Sequence, residues 1–342
     1  MTKASAASQT TRIAINGYGR IGRSVLRAFF ENAPQGLELV AINEPAAVPN
    51  SDIARLTQYD SVQGRFGLPV QATETGLNVD GNAVLRLSAE QASELDWQTL
   101  QVDMVLECSG INSRQQAEAH LAVGAKRVLF SSPVTDADFT VVYGYNQQAL
   151  PADAAVVSNA SCTTNCLTLI LAPIHQALGI EEAAITTVHA WTADQNLVDG
   201  WHSIPRRERA APNAIVPTSS GAADGVMHVM PELQGKLSAH SLRVPVNNMS
   251  LAEVTLVTEK AADTDALREV LANASAQHPE LLGVSVEPLV SCDFIHDSRS
   301  AIIDEEMTQA SGRLLKVLAW HDNEWAYACR MLDTAAVMAA QL

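Results

Sequence analysis

From Arg12 onward, short apolar runs alternate with stretches in which apolar side chains recur every three or four positions. "RIAIN" (12–16), "LELVAIN" (37–43), "DMVLECSG" (103–110), "KRVLFSS" (126–132) and "FTVVYGYN" (139–146) read as strands, and "GRSVLRAFFENA" (22–33) and "SRQQAEAHLAVGA" (113–125) as helices. Near-continuous apolar strands separated by helices predict an α/β domain whose parallel sheet is covered on both faces. After "AVVSNASC" (155–162) the pattern changes to one apolar helix, followed by longer, partly alternating strands in "EEAAITTVHAW", "HSLRVPV" and "SLAEVTLVTEK" and a helix at "TDALREVLANASAQ". That pattern predicts an α+β domain with a largely antiparallel sheet. The boundaries are placed at 1–161 and 162–325, with the helical segment 326–342 returning to the first domain.

Composition narrows the function. The chain has 342 residues, 47% of them hydrophobic, enough for two domains with their own cores. Its net charge of −16 argues against nucleic-acid binding, so any anionic ligand needs a local positive pocket. No run reaches a membrane span, and the opening "MTKASAASQT" lacks the apolar centre of a secretory signal and reads as a tail. Five dispersed cysteines, 108, 162, 166, 292 and 329, fit free thiols in a cytoplasmic protein rather than a disulfide framework, and their spacing to histidine offers no metal site.

"AINGYGRIGRSVLRAFF" puts Gly17, Gly19 and Gly22 between a strand and a helix, with Arg20 and Ile21 in the helix's first turn. This is the spacing that lets backbone approach a pyrophosphate at a helix N-terminus. The following strand ends at Glu44, 22 residues past Gly22, where a carboxylate holds a ribose 2′-hydroxyl and repels a 2′-phosphate. The first domain is therefore expected to be a Rossmann-type domain that takes NAD rather than NADP.

"VVSNASCTTNCLTLI" places Cys162 among helix-starting hydroxyl residues, ahead of an apolar helix. Free N–H groups and the helix dipole there favour the thiolate. His189, at the end of the next strand, is the candidate base; Cys166, one turn further on, reads as structural. A thiol nucleophile combined with a nicotinamide site points to aldehyde oxidation through a thiohemiacetal and a thioester.

"INGYGRIGR", "SNASCTTNC", "RRERAAPNAIVPTSSGAA", "LRVPVNNMS" and "WHDNEWAYA" resemble, in order and spacing, the phosphorylating glyceraldehyde-3-phosphate dehydrogenases, from about Arg12 to the C-terminus. The resemblance implies a homotetramer, a loop near 190–213 along the cofactor site, and anion sites for a phosphorylated aldehyde and inorganic phosphate. It makes Cys162 the nucleophile and His189 its base. Thr192, Asp194 and Arg243 would surround the substrate phosphate; Ser161, Thr163, Ser220 and Gly221 would hold inorganic phosphate, with Arg207 shared between the two. Asn323 would orient the nicotinamide amide, with Tyr327 packing nearby. Glu44 stands where the family usually has Asp, and Gly200-Trp201 where NAD-specific members commonly have Leu-Pro. "AINE", "TVVYGYN", "FIHDSRSAIID" and "WAYACRMLDT" are more similar to erythrose-4-phosphate dehydrogenase. Thr192 and "PTSSGAA" are of the glycolytic type, and residues that touch phosphate outweigh scaffold. The expected substrate is therefore D-glyceraldehyde 3-phosphate, oxidised with phosphate to 1,3-bisphosphoglycerate, with erythrose 4-phosphate as the alternative.

Overall fold

The computed structural model describes residues 10–342; the expected N-terminal tail lies outside that range except for Thr10. The described chain forms two compact units, one of residues up to Val141, Gln147–Asn159 and Ala328–Leu342, the other of Val142–Asn146 and Ala160–Tyr327.

The first unit opens with β1 (Thr11–Asn16), α1 (Arg20–Asn32), β2 (Leu37–Asn43) and α2 (Asn50–Gln58), then a ribbon of β3 (Tyr59–Asp60) and β4 (Gly64–Arg65). β5 (Val70–Ala72), β6 (Gly76–Val79) and β7 (Asn82–Leu87) follow, and then β8 (Met104–Glu107), α3 (Arg114–Ala122), β9 (Arg127–Phe130), β10 (Phe139–Thr140) and β11 (Val156–Ser158). The nine-stranded sheet runs β10-β11-β9-β8-β1-β2-β7-β6-β5; its pairs are parallel from β10 to β7, while β5 and β6 join antiparallel. β1, β8 and β9 are buried nearly throughout, as a sheet covered on both faces requires. "FTVVYGYN" is strand only over Phe139–Thr140; beyond it the chain turns, with the Tyr145 and Asn146 amides both donating to Val142 O.

The second unit begins with α4 (Cys162–Leu178) and β12 (Ile180–Ala190), followed by β13 (Val216–Ser219), α5 (Ala222–Val229) and β14 (Leu237–Val244). β15 (Ser250–Ala262), α6 (Thr264–Gln277), β16 (Leu282–Ser285) and β17 (Ala301–His321) complete it. The six strands run β13-β14-β12-β15-β17-β16, antiparallel at β13/β14, β12/β15 and β15/β17. One face packs on α4, where Leu167, Ile170 and Ile174 share a core with Ile185, Val254 and Val317. The chain ends with α7 (Trp325–Ala339), whose residues from Ala328 on belong to the first unit. There Arg127 donates to Met338 O at 2.8 Å and Thr334 to Asn159 Oδ1 at 2.7 Å. No helix among the described residues is long and apolar enough to cross a membrane.

Candidate active site

In the first unit the turn after β1 is shaped by what its glycines exclude. Gly17 has φ +89°, and a Cβ there would sit 2.4 Å from the Ser109 backbone; a Cβ on Gly22 would sit 2.1 Å from Gly17 O. Gly19, by contrast, faces open space as the N-cap of α1, and no side chain caps that helix. A helix start with no side-chain cap behind an open glycine is the kind of place where an anion is accommodated. The Arg20 guanidinium is paired with Asp60 at 2.5 Å, and Ile21 follows in the same turn.

A buried polar network braces the strand ends below. The Glu107 carboxylate, 1% exposed, accepts from Asn16 Nδ2 (2.7 Å), Gln116 Nε2 (3.0 Å) and Ser109 N (2.7 Å). His120 Nε2 lies 2.9 Å away, and Trp97 Nε1 donates to His120 Nδ1 at 2.9 Å, so the imidazole donates through Nε2. Burial raises the Glu107 pKa, but these donors more than offset it and hold the group below the usual range. Glu44 lies just past β2, where its carboxylate accepts from Ala46 N at 3.0 Å. Arg86, which the sequence reading passed over, fixes this loop by donating to Ala46 O (2.5 Å) and Val48 O (2.5 Å). An isolated strand arginine carries no sequence mark of such a task.

In the second unit Ser161 caps α4, its Oγ accepting from Thr164 N at 3.0 Å, so Cys162 occupies the first helical position. Ala160 ahead of it has φ 55°, a strained value for alanine, and Tyr327 Oη donates to the Ala160 carbonyl at 2.9 Å. Tyr327 is thus a brace for the cysteine turn. Cys162 Sγ stands 3.9 Å from His189 Nε2 and 3.9 Å from Thr163 Oγ1. His189 Nδ1 is 2.7 Å from Ala190 O; a proton there leaves the Nε2 lone pair facing the thiol. Arg243 Nη1 donates to the same carbonyl at 3.0 Å and lies 3.0 Å from His189 Nδ1.

Electrostatics do not follow the sequence expectation of a ready thiolate. Burial pushes the Cys162 thiol up despite the opposing Thr163 contact and the Arg243 charge, and the same burial, with Arg243, His321 and Arg207, pushes His189 down to about 3. Both groups are held neutral, a thiol facing a free imidazole nitrogen. The helix terminus does not outweigh desolvation.

Arg207 pairs with Asp194 and donates through Nε to Thr218 Oγ1 at 3.2 Å, which settles which of the three clustered arginines turns inward; Arg209 is bound to Asp199 instead. Thr192 is half-buried two residues past β12, its carbonyl accepting from Gln195 N at 2.9 Å. Ser220 Oγ accepts from Ala222 N at 3.2 Å, and Gly221 is the exposed N-cap of α5. Asn323, 7% exposed, accepts from Ser250 Oγ at 3.2 Å. Arg243 Nε is buried with no hydrogen-bond partner among the described residues. The sequence reading missed Thr218, Ser250 and His321.

A parallel sheet whose first helix starts at an open, uncapped glycine turn, carried with a second unit that sets a thiol beside an imidazole, fits a nicotinamide-dependent dehydrogenase. Comparison with known proteins gives the family. Residues 11–115 match the glyceraldehyde 3-phosphate dehydrogenase NAD binding domain, and 161–323 match the C-terminal domain of the same enzyme. Glyceraldehyde-3-phosphate dehydrogenase of Pseudomonas aeruginosa is 47% identical over 97% of this chain and 99% of its own length. The plasmid-encoded enzyme of Cupriavidus necator is 44% identical, covering 96% and 99%, and that of Xanthobacter flavus 44%, covering 96% and 98%. The chain belongs to the glyceraldehyde 3-phosphate dehydrogenase family: it is an oxidoreductase, and its cofactor is NAD.

Proposed function

We propose that the protein oxidises D-glyceraldehyde 3-phosphate with NAD and inorganic phosphate to 1,3-bisphosphoglycerate through a thioester on Cys162. The Cys162 to His189 pair, 3.9 Å apart with Nε2 toward sulfur, is the observation that carries this reading. His189 takes the thiol proton as sulfur adds to the aldehyde carbon, which offsets the cost of ionising a desolvated thiol. That proton passes from Nε2 to the aldehyde oxygen as the thiohemiacetal forms, which frees Nε2 to take the hydroxyl proton back as hydride leaves. Bound NAD, held by the Gly17–Gly22 turn with Glu44 at the ribose, supplies the hydride acceptor. Arg243, with its unpartnered Nε, and Arg207 supply positive charge for substrate phosphate, with Thr192 and Asp194 shaping that end. Thr163, Ser220, Gly221 and the backbone of the Ser161 turn face the incoming phosphate in this reading, which cleaves the thioester to an acyl phosphate.

A homotetramer in the cytoplasm is part of this reading, and the exposed apolar side chains Leu197, Val198, Trp201 (85% exposed) and Ile215 support the association, in which they would find partners. Trapping tests the covalent step. Mixed with NAD and glyceraldehyde 3-phosphate without phosphate, the enzyme is expected to gain the acyl mass on the peptide holding Cys162, and phosphate is expected to release it. Acylation elsewhere, or NADH formed in repeated turnovers without any adduct, would sink the reading.

A further inference from the structure

The α4-covered face of the second sheet has one parity on each strand. Ala183 and Ile185 on β12, Ala252, Val254 and Leu256 on β15, and Leu315, Val317 and Ala319 on β17 all enter the core with α4. Strand alternation carries each series on to His189, Ser250 and His321. Register confirms the row, since His189 pairs with Arg243 and with Ser250, and Ser250 pairs with His321. Arg243, His189, Ser250 and His321 therefore stand side by side on the face toward α4, whose first residue is Cys162. With strands spaced about 4.8 Å apart, the backbones of the two histidines lie about 10 Å apart, with a small serine between them. That serine's hydroxyl is spent on Asn323.

His321 is 1% exposed, and neither of its ring nitrogens has a hydrogen-bond partner. A buried polar group left unmatched costs stability and calls for an explanation. Burial pushes its pKa down to about 4, so at neutral pH one nitrogen donates and the other accepts. A hydroxyl both gives and takes a hydrogen bond, which suits a neutral imidazole; an anion is better met at the opposite end of the row by Arg243.

We propose that His321 binds the hydroxyl on the carbon next to the aldehyde, and so makes the site selective for 2-hydroxyaldehydes. The proposal rests on the aldehyde-oxidising reading above. With the aldehyde carbon on Cys162 beside His189, the adjoining carbon carries its hydroxyl and its phosphate-bearing arm on separate bonds. One arm turns along the row to His321 and the other to Arg243.

The test compares kcat/KM for D-glyceraldehyde 3-phosphate and for its 2-deoxy analogue, 3-oxopropyl phosphate, in the wild type, His321→Phe, His321→Leu and His321→Gln, with thermal stability measured alongside. The wild type is expected to favour the hydroxylated aldehyde by roughly 10-fold to 100-fold, as loss of a buried hydrogen bond implies. The ratio should collapse toward one in the two apolar variants and persist in His321→Gln, which keeps a donor and an acceptor. Equal losses on both aldehydes, leaving the ratio unchanged, would overturn the proposal. Should neither apolar variant fold, the wild type still decides: equal kcat/KM for the two aldehydes overturns it, and a preference of tenfold or more that His321→Gln retains supports it. A wild type that turns over neither aldehyde fails at the aldehyde-oxidising reading, and the proposal falls with it.

Discussion

At the scale of the residue, Cys162 sits between opposed influences. The start of α4 and the Arg243 charge favour the thiolate, and desolvation favours the thiol more strongly. The rate of iodoacetamide alkylation at Cys162, read by mass spectrometry of its peptide, is therefore expected to keep rising beyond the ordinary thiol range. Arg243→Leu, which removes a charge that lowers the thiol pKa, should move the inflection higher still; an inflection below pH 7 in the wild type would contradict this. His189→Asn is expected to lower kcat by roughly 10²-fold to 10⁴-fold, the usual worth of a positioned general base. Alkylation of Cys162 in that variant should persist, showing that the loss lies in proton transfer rather than in folding. Reading a charge state from a helix start failed here because sequence shows the dipole but not the depth of burial.

At the scale of the element, the turn after β1 was legible because only glycine meets its needs. Gly22→Ala is expected to weaken NAD binding, measured by titration calorimetry, by roughly tenfold or more, since its Cβ would lie 2.1 Å from Gly17 O and backbone must shift. Gly19→Ala, with nothing within 4 Å in the protein, should fold normally and lose affinity only through crowding the ligand. The helix at Cys162 and the strand that carries His189 were also readable, from capping chemistry and apolar spacing. Other elements escaped. The β6–β7 hairpin turns at Asp80-Gly81, both at positive φ, an Asp-Gly signal present in "NVDGNAV" that went unused. β17 escaped because its apolar alternation is interrupted by "DEEMTQASG", and without that strand the parity placing His321 beside His189 could not be seen. Arg243 reaching His189 depends on β12/β14 pairing across 54 residues, which local pattern does not encode.

At the scale of the whole molecule, buried titratable groups set the response to acid. His189 and His321 have folded pKa values of about 3 and about 4, below the unfolded value near 6.5, so the unfolded chain binds protons first as pH falls. Glu107, lowered in the fold, likewise contributes stability that is present at neutral pH and lost as pH falls through its folded value. Tm is therefore expected to fall progressively from about pH 7 toward pH 4; a Tm that rises as pH falls over that interval would contradict the burial argument. Trp201→Asp is expected to shift the proposed homotetramer toward smaller species in light scattering, since it puts a charge where an 85% exposed indole stands in the single chain. The central claim, that an NAD site and the Cys162 thiol serve one phosphate-consuming aldehyde oxidation, is tested most directly by NADH formation from NAD with D-glyceraldehyde 3-phosphate or erythrose 4-phosphate, each with and without inorganic phosphate. The expected result is sustained turnover that needs phosphate and favours the three-carbon aldehyde. Turnover indifferent to phosphate, or a preference for the four-carbon aldehyde, would contradict it.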